Sequence, residues 1–432
     1  MNPSSLNLFD QDFSDMPMKN SLANKLKTDD KPFHEWYRFV LSFPPHLVRD
    51  YLKKFGVHSG QSILDPFCGT GTTIVEAKLM GINGIGIEAN YMAYFASSVK
   101  VNWSINYNDL RKHALSIAEK ANIAIAEEGI NLLRTLPDES FSLLLKDSIS
   151  PLPLHKVLIL LEILREFKNE EYYQLELLAL AKAVVFSISN LHFGPEVGVQ
   201  RVKKTDAKVI ESWLSEINIM VDDLKNVQET NAWSEIHFAD SRQLKQVLKK
   251  DSIDAVFTSP PYPNEKDYTR TTRLESVLLG LIKNKDELRT LKGNLLRSNT
   301  RNVYKGDNDD SWVSENKDIQ SIAELIEKRR IELNKTSGFE RLYGKVTKLY
   351  FGGMARHLEQ LKPFLKPGAF LGYVVGDQAS YFQVLIRTGQ LLADIAKSLG
   401  YDVVDIELFR TRLASATKKN MREEVVILRW PG

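Results

Sequence analysis

Ile253-Asp254-Ala255-Val256-Phe257 is an apolar run broken by one acid, and Thr258-Ser259-Pro260-Pro261-Tyr262 comes directly after it. The run predicts a buried strand. Two prolines end it, because neither can donate to a ladder, and they stiffen the backbone at that point. The result is a rigid corner at a strand's C-terminal end, with a hydroxyl on one side and an aromatic ring on the other. In open α/β sheets, ligands bind off the carboxyl ends of strands. A corner of this kind there suits a flat, polar ring.

A second stretch fits the same plan. Ser62-Ile63-Leu64-Asp65 reads as a short strand, Gly69-Thr70-Gly71 as a turn, and Thr72 to Met80 as a helix. Glycines permit positive φ and remove side chains where backbone must approach a ligand. Gly84-Ile85-Gly86-Ile87-Glu88 is the next strand, and Glu88 stands 23 positions after Asp65, where a carboxylate reaches ribose hydroxyls. Ile74 occupies the place of a dinucleotide fingerprint's third glycine, so a nicotinamide cofactor is disfavoured.

Asp65-Pro66-Phe67-Cys68-Gly69-Thr70-Gly71 and Ser259-Pro260-Pro261-Tyr262 together resemble the S-adenosylmethionine-dependent amino-methyltransferases of DNA, which modify cytosine N4 or adenine N6. The family's first motif contains Phe-x-Gly-x-Gly and its fourth is (Asp/Asn/Ser)-Pro-Pro-(Tyr/Phe). The resemblance covers Phe33–Trp103 and Ile236–Leu428. It implies an α/β fold of class I methyltransferase type, a Rossmann-like mixed seven-stranded sheet, here carrying helical insertions. It implies S-adenosylmethionine as cofactor and double-stranded DNA as partner, with a separate restriction or defence nuclease as a further partner. Phe43 and Pro44 match a Phe-Pro-Pro element that lines the methionine end of the cofactor. Asp65, Phe67, Gly69, Thr70, Gly71 and Glu88 fall on the cofactor turn and ribose acid, and Asp240 on a position that approaches the adenine amino group.

An exocyclic amino group is a poor nucleophile, because its lone pair is delocalised into the ring. Acceptors aimed at its N–H bonds favour an sp³-like nitrogen and accept charge as it develops. The Ser259 hydroxyl and the Pro260 carbonyl are the expected acceptors, with Tyr262 stacked on a base flipped from its duplex. Serine at 259 leans towards cytosine N4 by resemblance, and its hydroxyl could also satisfy the N3 acceptor. Adenine N6 is an alternative, as are an RNA or tRNA amino-methyltransferase and a catalytically silent cofactor- or DNA-binding protein.

The rest of the 432 residues is read from composition. Residues 1–31 form an expected loose arm, and 32–104 with 234–432 an expected catalytic core. Residues 105–233 are helix-rich, an inserted target-recognition lobe. Its loop near Arg201, Lys203 and Lys204 is an expected phosphate contact, and His192 there is read as structural. After the corner, Asn264, Asp267, Tyr268 and Arg270 are expected to rim the pocket. Residues 283–346 are a charged insertion, an expected DNA flank. The last two strands, Tyr401–Leu408 and Glu424–Leu428, are expected to enclose a basic loop with Arg410, Arg412, Lys418, Lys419 and Arg422.

The apolar and charged fractions, 43% and 26%, are those of a globular protein. One cysteine, Cys68, excludes an internal disulfide and any multi-cysteine metal site, and no metal is expected. No apolar run approaches a membrane span, and the polar N-terminus reads as neither signal nor transit peptide, so a cytoplasmic location is expected. A net charge of +2 supplies no global field for DNA, so attraction must come from local patches.

Overall fold

The computed structural model describes residues 20, 22–39, 42–194, 196–227, 230–264, 266–413 and 418–432. Helix α1 (Pro45–Lys54) begins on Pro45, whose fixed φ suits a first helical turn. Strand β1 (Ser62–Asp65) turns into α2 (Thr72–Leu79), then β2 (Asn83–Glu88) and α3 (Tyr91–Lys100). Next come α4 (Tyr107–Glu128), α5 (Asp138–Phe141), α6 (Pro151–Glu166), α7 (Tyr173–Ala183), the short hairpin β3 (Leu191–Phe193) and β4 (Val197–Val199), and α8 (Val209–Asn226). The chain re-enters the sheet as β5 (Ser234–Phe238) and β6 (Ile253–Thr258). Helices α9 (Tyr268–Thr271), α10 (Arg273–Leu278), α11 (Lys285–Asn294), α12 (Lys317–Glu332) and α13 (Tyr343–Leu361) come after the corner. Strand β7 (Leu365–Gly376), α14 (Thr388–Ser398), β8 (Asp402–Leu413) and β9 (Asn420–Arg429) complete the fold.

The seven-stranded sheet has the order β5-β2-β1-β6-β7-β9-β8. Its first five strands pair in parallel, and β9 runs antiparallel to both neighbours. This is the mixed sheet expected. The chain winds from β1 towards β5 on one side and from β6 towards β8 on the other. The order therefore reverses between β1 and β6, which creates a crevice at their C-terminal ends.

Side chains alternate cleanly across the central strands. Leu64, Val256, Leu371 and Tyr373 face a layer with Phe351 and Leu358 of α13 and Leu391 and Leu392 of α14. Ile63, Ala255, Phe257 and Val374 face Val48 and Leu52 of α1. The inserted helices share one apolar cluster with Ile74 and Val75 of α2 and Met92 and Ala96 of α3. That insertion thus packs on the sheet's own helices and has no separate core.

Three local readings differ from the structure. Much of the expected arm, residues 1–19 and 21, lies outside the described residues, but its end is firmly held. Asp30 is 0% exposed, with His46 Nδ1 2.7 Å from its carboxylate and Arg49 paired to it. Arg49 and His34 each lie 2.8 Å from a Glu76 oxygen, which ties this segment to α2. The expected basic loop is mostly strand: β8 and β9 run on through Arg410, Arg412 and Arg422, with Arg410 opposite Glu423. The charged insertion spends much of its basic series internally. Lys292 pairs with Asp267 at 2.7 Å, and the buried Arg297 pairs with Asp307 at 2.7 Å.

Candidate active site

The crevice between β1 and β6 opens into a cavity of about 590 Å³, within the range of small-molecule sites. Both sequence stretches meet in it. A buried hydrogen bond from Thr258 Oγ1 to Asp65 Oδ1, 2.6 Å, fastens the end of one strand to the other. Asp65 does not line the cavity; its oxygen also accepts from the Phe67 amide at 3.2 Å. Burial pushes its carboxyl up to about 6, while the Thr258 hydroxyl works against that. Asp65 therefore stands behind the turn and shapes it.

The turn itself is open to the cavity. Gly69 has φ +51° and Gly71 φ +84°, and a Cβ on Gly71 would meet Ser97 Cβ at 3.0 Å. A Cβ on Gly69 would meet nothing within 4 Å, so this backbone borders free space. Glu88 crosses beneath it: Oε2 accepts from the Gly69 amide at 2.8 Å and Oε1 from the Asn90 amide at 2.7 Å. Burial pushes Glu88 up to about 7, against those two amides, which favour the anion. Each carboxylate oxygen keeps a lone pair for a diol. Asn90 then caps α3, accepting from Met92 N at 3.0 Å.

Phe43, Phe67, Gly69, Thr70 and Glu88 line this part of the cavity; Pro44, Gly71 and Asp240 do not. Asp240 is the clearest correction. Both its oxygens are taken by Arg242, which also reaches Asp309 at 2.6 Å. Ala239 and Ser241 line the wall in its place. Cys68 lines the cavity too, but burial pushes its thiol well up, away from a nucleophilic thiolate.

The opposite half is built on the corner. Ser259 Oγ donates to the Val374 carbonyl of β7 at 3.0 Å. With its proton on that carbonyl the hydroxyl oxygen is left as an acceptor, one that the Tyr262 side chain, also hydrogen-bonded to Ser259, shares. The second use expected of Ser259, donation to a ring nitrogen, competes with the bond to Val374. The Asn264 amide donates to the Tyr262 carbonyl at 2.8 Å and closes the turn. A Cβ on Gly376 would lie 3.1 Å from Tyr262 Cε2 and 3.2 Å from Glu423 Cγ. Glycine at the end of β7 thus leaves room for the Tyr262 ring and Glu423 to settle side by side.

Ser259, Pro260, Pro261, Tyr262, Asn264 and Tyr268 all line the cavity. Arg270 does not, nor do Arg201, Lys203, Lys204, Lys418 and Lys419. Arg410 and Arg412 do, as inward-facing residues of β8 rather than as an outer phosphate contact. Arg410 Nε lies 2.5 Å from Glu423 Oε2 and Arg412 Nε 3.2 Å from Oε1.

Sequence reading missed several participants. Lys100 of α3 is 0% exposed and donates to the Thr70 carbonyl at 2.7 Å and the Tyr37 carbonyl at 3.2 Å. It joins the segment before α1 to the cofactor turn, and burial pushes its amine down to about 7. His357 of α13, held between the Ser241 carbonyl and the Tyr373 hydroxyl at 2.8 Å each, packs edge-on against Phe67. Asn24 and Glu196 also reach the wall. None of these carries a local motif; only the assembled sheet brings them together.

The open glycine backbone, the diol-ready carboxylate and the adjoining aromatic rings fit S-adenosylmethionine. Phe43, Phe67, Gly69, Thr70 and Glu88 would hold it. Among the described residues no group of acids, histidines or cysteines could hold a metal ion, and no helix is long and apolar enough to cross a membrane.

Comparison with known proteins agrees with this geometry. Residues 10–97 match the DNA methylase model of N6 and N4 amino-methyltransferases. The chain is 27% identical to Type II methyltransferase M.BsoBI of Geobacillus stearothermophilus, over 94% of this chain and 85% of that one. It is 24% identical to Type II methyltransferase M.AvaI of a Nostoc species, over 98% and 92%. A shorter stretch, 16% of this chain and 19% of the relative, is 37% identical to a tRNA (guanine(10)-N2)-dimethyltransferase of Methanothermobacter thermautotrophicus. The family match falls on the glycine turn and ribose acid, the full-length likenesses run on through the proline corner, and the fold joins the two in one cavity: these likenesses support an S-adenosylmethionine-dependent amino-methyltransferase of the N4/N6 kind.

Proposed function

We propose that the chain methylates N4 of a cytosine at a specific site in double-stranded DNA. The observation that carries amino-group methylation is the Ser259 hydroxyl, which donates to the Val374 carbonyl and lines the cavity beside Tyr262 as an acceptor for an amino N–H; the choice of cytosine rests on serine standing at this position of the motif. The Type II names of the long relatives favour DNA and suit a restriction system with a separate nuclease.

When bound, S-adenosylmethionine supplies an activated methyl group on its sulfonium. The chain's own residues do the remaining work. Ser259 Oγ and the Pro260 carbonyl accept from the two amino N–H bonds, which draws the nitrogen lone pair out of ring conjugation. Pro260 and Pro261 hold those acceptors still, and Tyr262 fixes the plane of the base. Positioning both reactants in one closed crevice contributes several kcal/mol of barrier reduction. The base must leave its duplex to enter, at a cost of a few kcal/mol.

The test is transfer of labelled methyl from S-adenosylmethionine to unmethylated DNA and to RNA, with nucleoside mass analysis. N4-methylcytosine from DNA is the expected product. N6-methyladenine would overturn the base assignment, and methylation confined to RNA would move the substrate to that of the shorter tRNA relative.

A further inference from the structure

We infer that Arg410 reads the target base, its guanidinium fork donating to N3 and O2 of cytosine, while Glu423 and Arg412 hold it in position. The inference rests on the cytosine reading above and names what selects the base.

The geometry runs inward from the sheet edge. Arg412 Nη2 donates to the Asp377 carbonyl at 2.9 Å and its Nε pairs with Glu423. Glu423, only 7% exposed, takes Arg410 Nε on its other oxygen at 2.5 Å. Residues 410 and 412 share one face of β8, and that face lines the cavity. Glu423 and Tyr262 flank Gly376, so this cluster borders the ring expected to stack on the base. Arg410's ionic contact is made through Nε, which leaves the two terminal nitrogens as its end-on fork.

Base chemistry supplies the match. With the amino group at Ser259, cytosine's next two edge atoms are N3 and O2, both acceptors. Adenine offers N1 and then C2–H, a single acceptor. A fork with two parallel donors is satisfied by cytosine and half-satisfied by adenine. Arg410 is also 17% exposed, as a side chain inside a cavity is, where a phosphate contact would stand at the surface.

The test uses the full-length protein and duplex oligonucleotides carrying its own modified site, with the target cytosine intact or replaced by 3-deazacytosine, which keeps the amino group and O2 but lacks N3. Wild type should lose about tenfold in kcat/KM on the analogue, the scale of one charge-assisted hydrogen bond. Arg410→Gln should lose about 10- to 100-fold on cytosine, with little further loss on the analogue and unchanged affinity for S-adenosylhomocysteine. Arg410→Lys should retain part of the discrimination. Glu423→Gln should show the same coupling more weakly, and it serves if Arg410→Gln does not fold. Penalties that simply multiply, or wild-type kcat/KM in Arg410→Gln, would overturn the role of Arg410 while leaving cytosine methylation standing. A wild-type product other than N4-methylcytosine would instead overturn the reading on which it rests.

Discussion

At the scale of single residues, the site works by committing protons in advance. Ser259 gives its own to Val374, so it meets the substrate as an acceptor without reorganising. Ser259→Ala should lower kcat by about 100-fold, the size of one lost contact to developing charge. Affinity for S-adenosylhomocysteine should not change, and single-turnover methylation beside a binding isotherm checks both. Glu88 makes a pH prediction. A ribose diol donates to the carboxylate, so the cofactor favours the ionised form and lowers the bound-state pKa below the free value of about 7. Affinity should therefore fall as pH drops through that value and level off above it. Binding of S-adenosylhomocysteine from pH 5.5 to 8.5 should show the slope, and Glu88→Gln should flatten it. The unliganded protein has the opposite slope. Asp65, raised from 3.8 to about 6, and Glu88, raised from 4.5 to about 7, hold more protons folded than unfolded within those intervals. Their contribution to stability is consequently lost as pH rises through them.

At the scale of elements, buried ion pairs decide where segments go. Arg242 links Asp240, at the end of β5, to Asp309, and Arg356 of α13 also pairs with Asp309 at 3.1 Å. Asp309→Ala would leave the buried Arg242 and the half-buried Arg356 each without that partner. A loss of about 3 kcal/mol or more is expected, read as a lower urea midpoint at unchanged slope. The same pairs explain which parts of the chain were legible. The strands β1, β2, β6 and β7 and the cavity-facing positions of both motifs follow from apolar runs and fixed-φ residues, which act over a few positions. Asp240 is turned to Arg242, two residues on, whose guanidinium also holds Asp309 on its other side, a pairing that no local pattern announces. Arg410, Arg412 and Arg422 looked like a basic loop because the acids they pair with, Glu423 and Glu424, belong to the strand β9 of the same hairpin. Charge read along the sequence is silent about pairing across strands. Lys100 had no signal at all, since its partners are backbone carbonyls of two remote turns.

At the scale of the whole molecule, the duplex of the proposed function would have to be held by local patches and not by a global field. The net charge is +2, and Lys292, Arg297, Arg410 and Arg412 are all paired with acids. The stretch after the β3–β4 hairpin is better placed, because Glu196 of that hairpin reaches the cavity wall. There Arg201 is exposed, while Lys203 donates to the Gln200 carbonyl and Lys204 Nζ to the Ser187 carbonyl at 2.5 Å. Those two amines must give up or share a bond to reach a phosphate. Replacing all three residues by glutamine should therefore weaken duplex affinity and reduce the salt slope of log Kd by about 1 to 2, below the nearly 3 that three free cations would give. Single-turnover rates at saturating DNA should stay near wild type, because none of the three lines the cavity. Titrations of duplex DNA at several salt concentrations measure the slope. A slope equal to that of wild type would place the phosphate contacts on another face of the molecule.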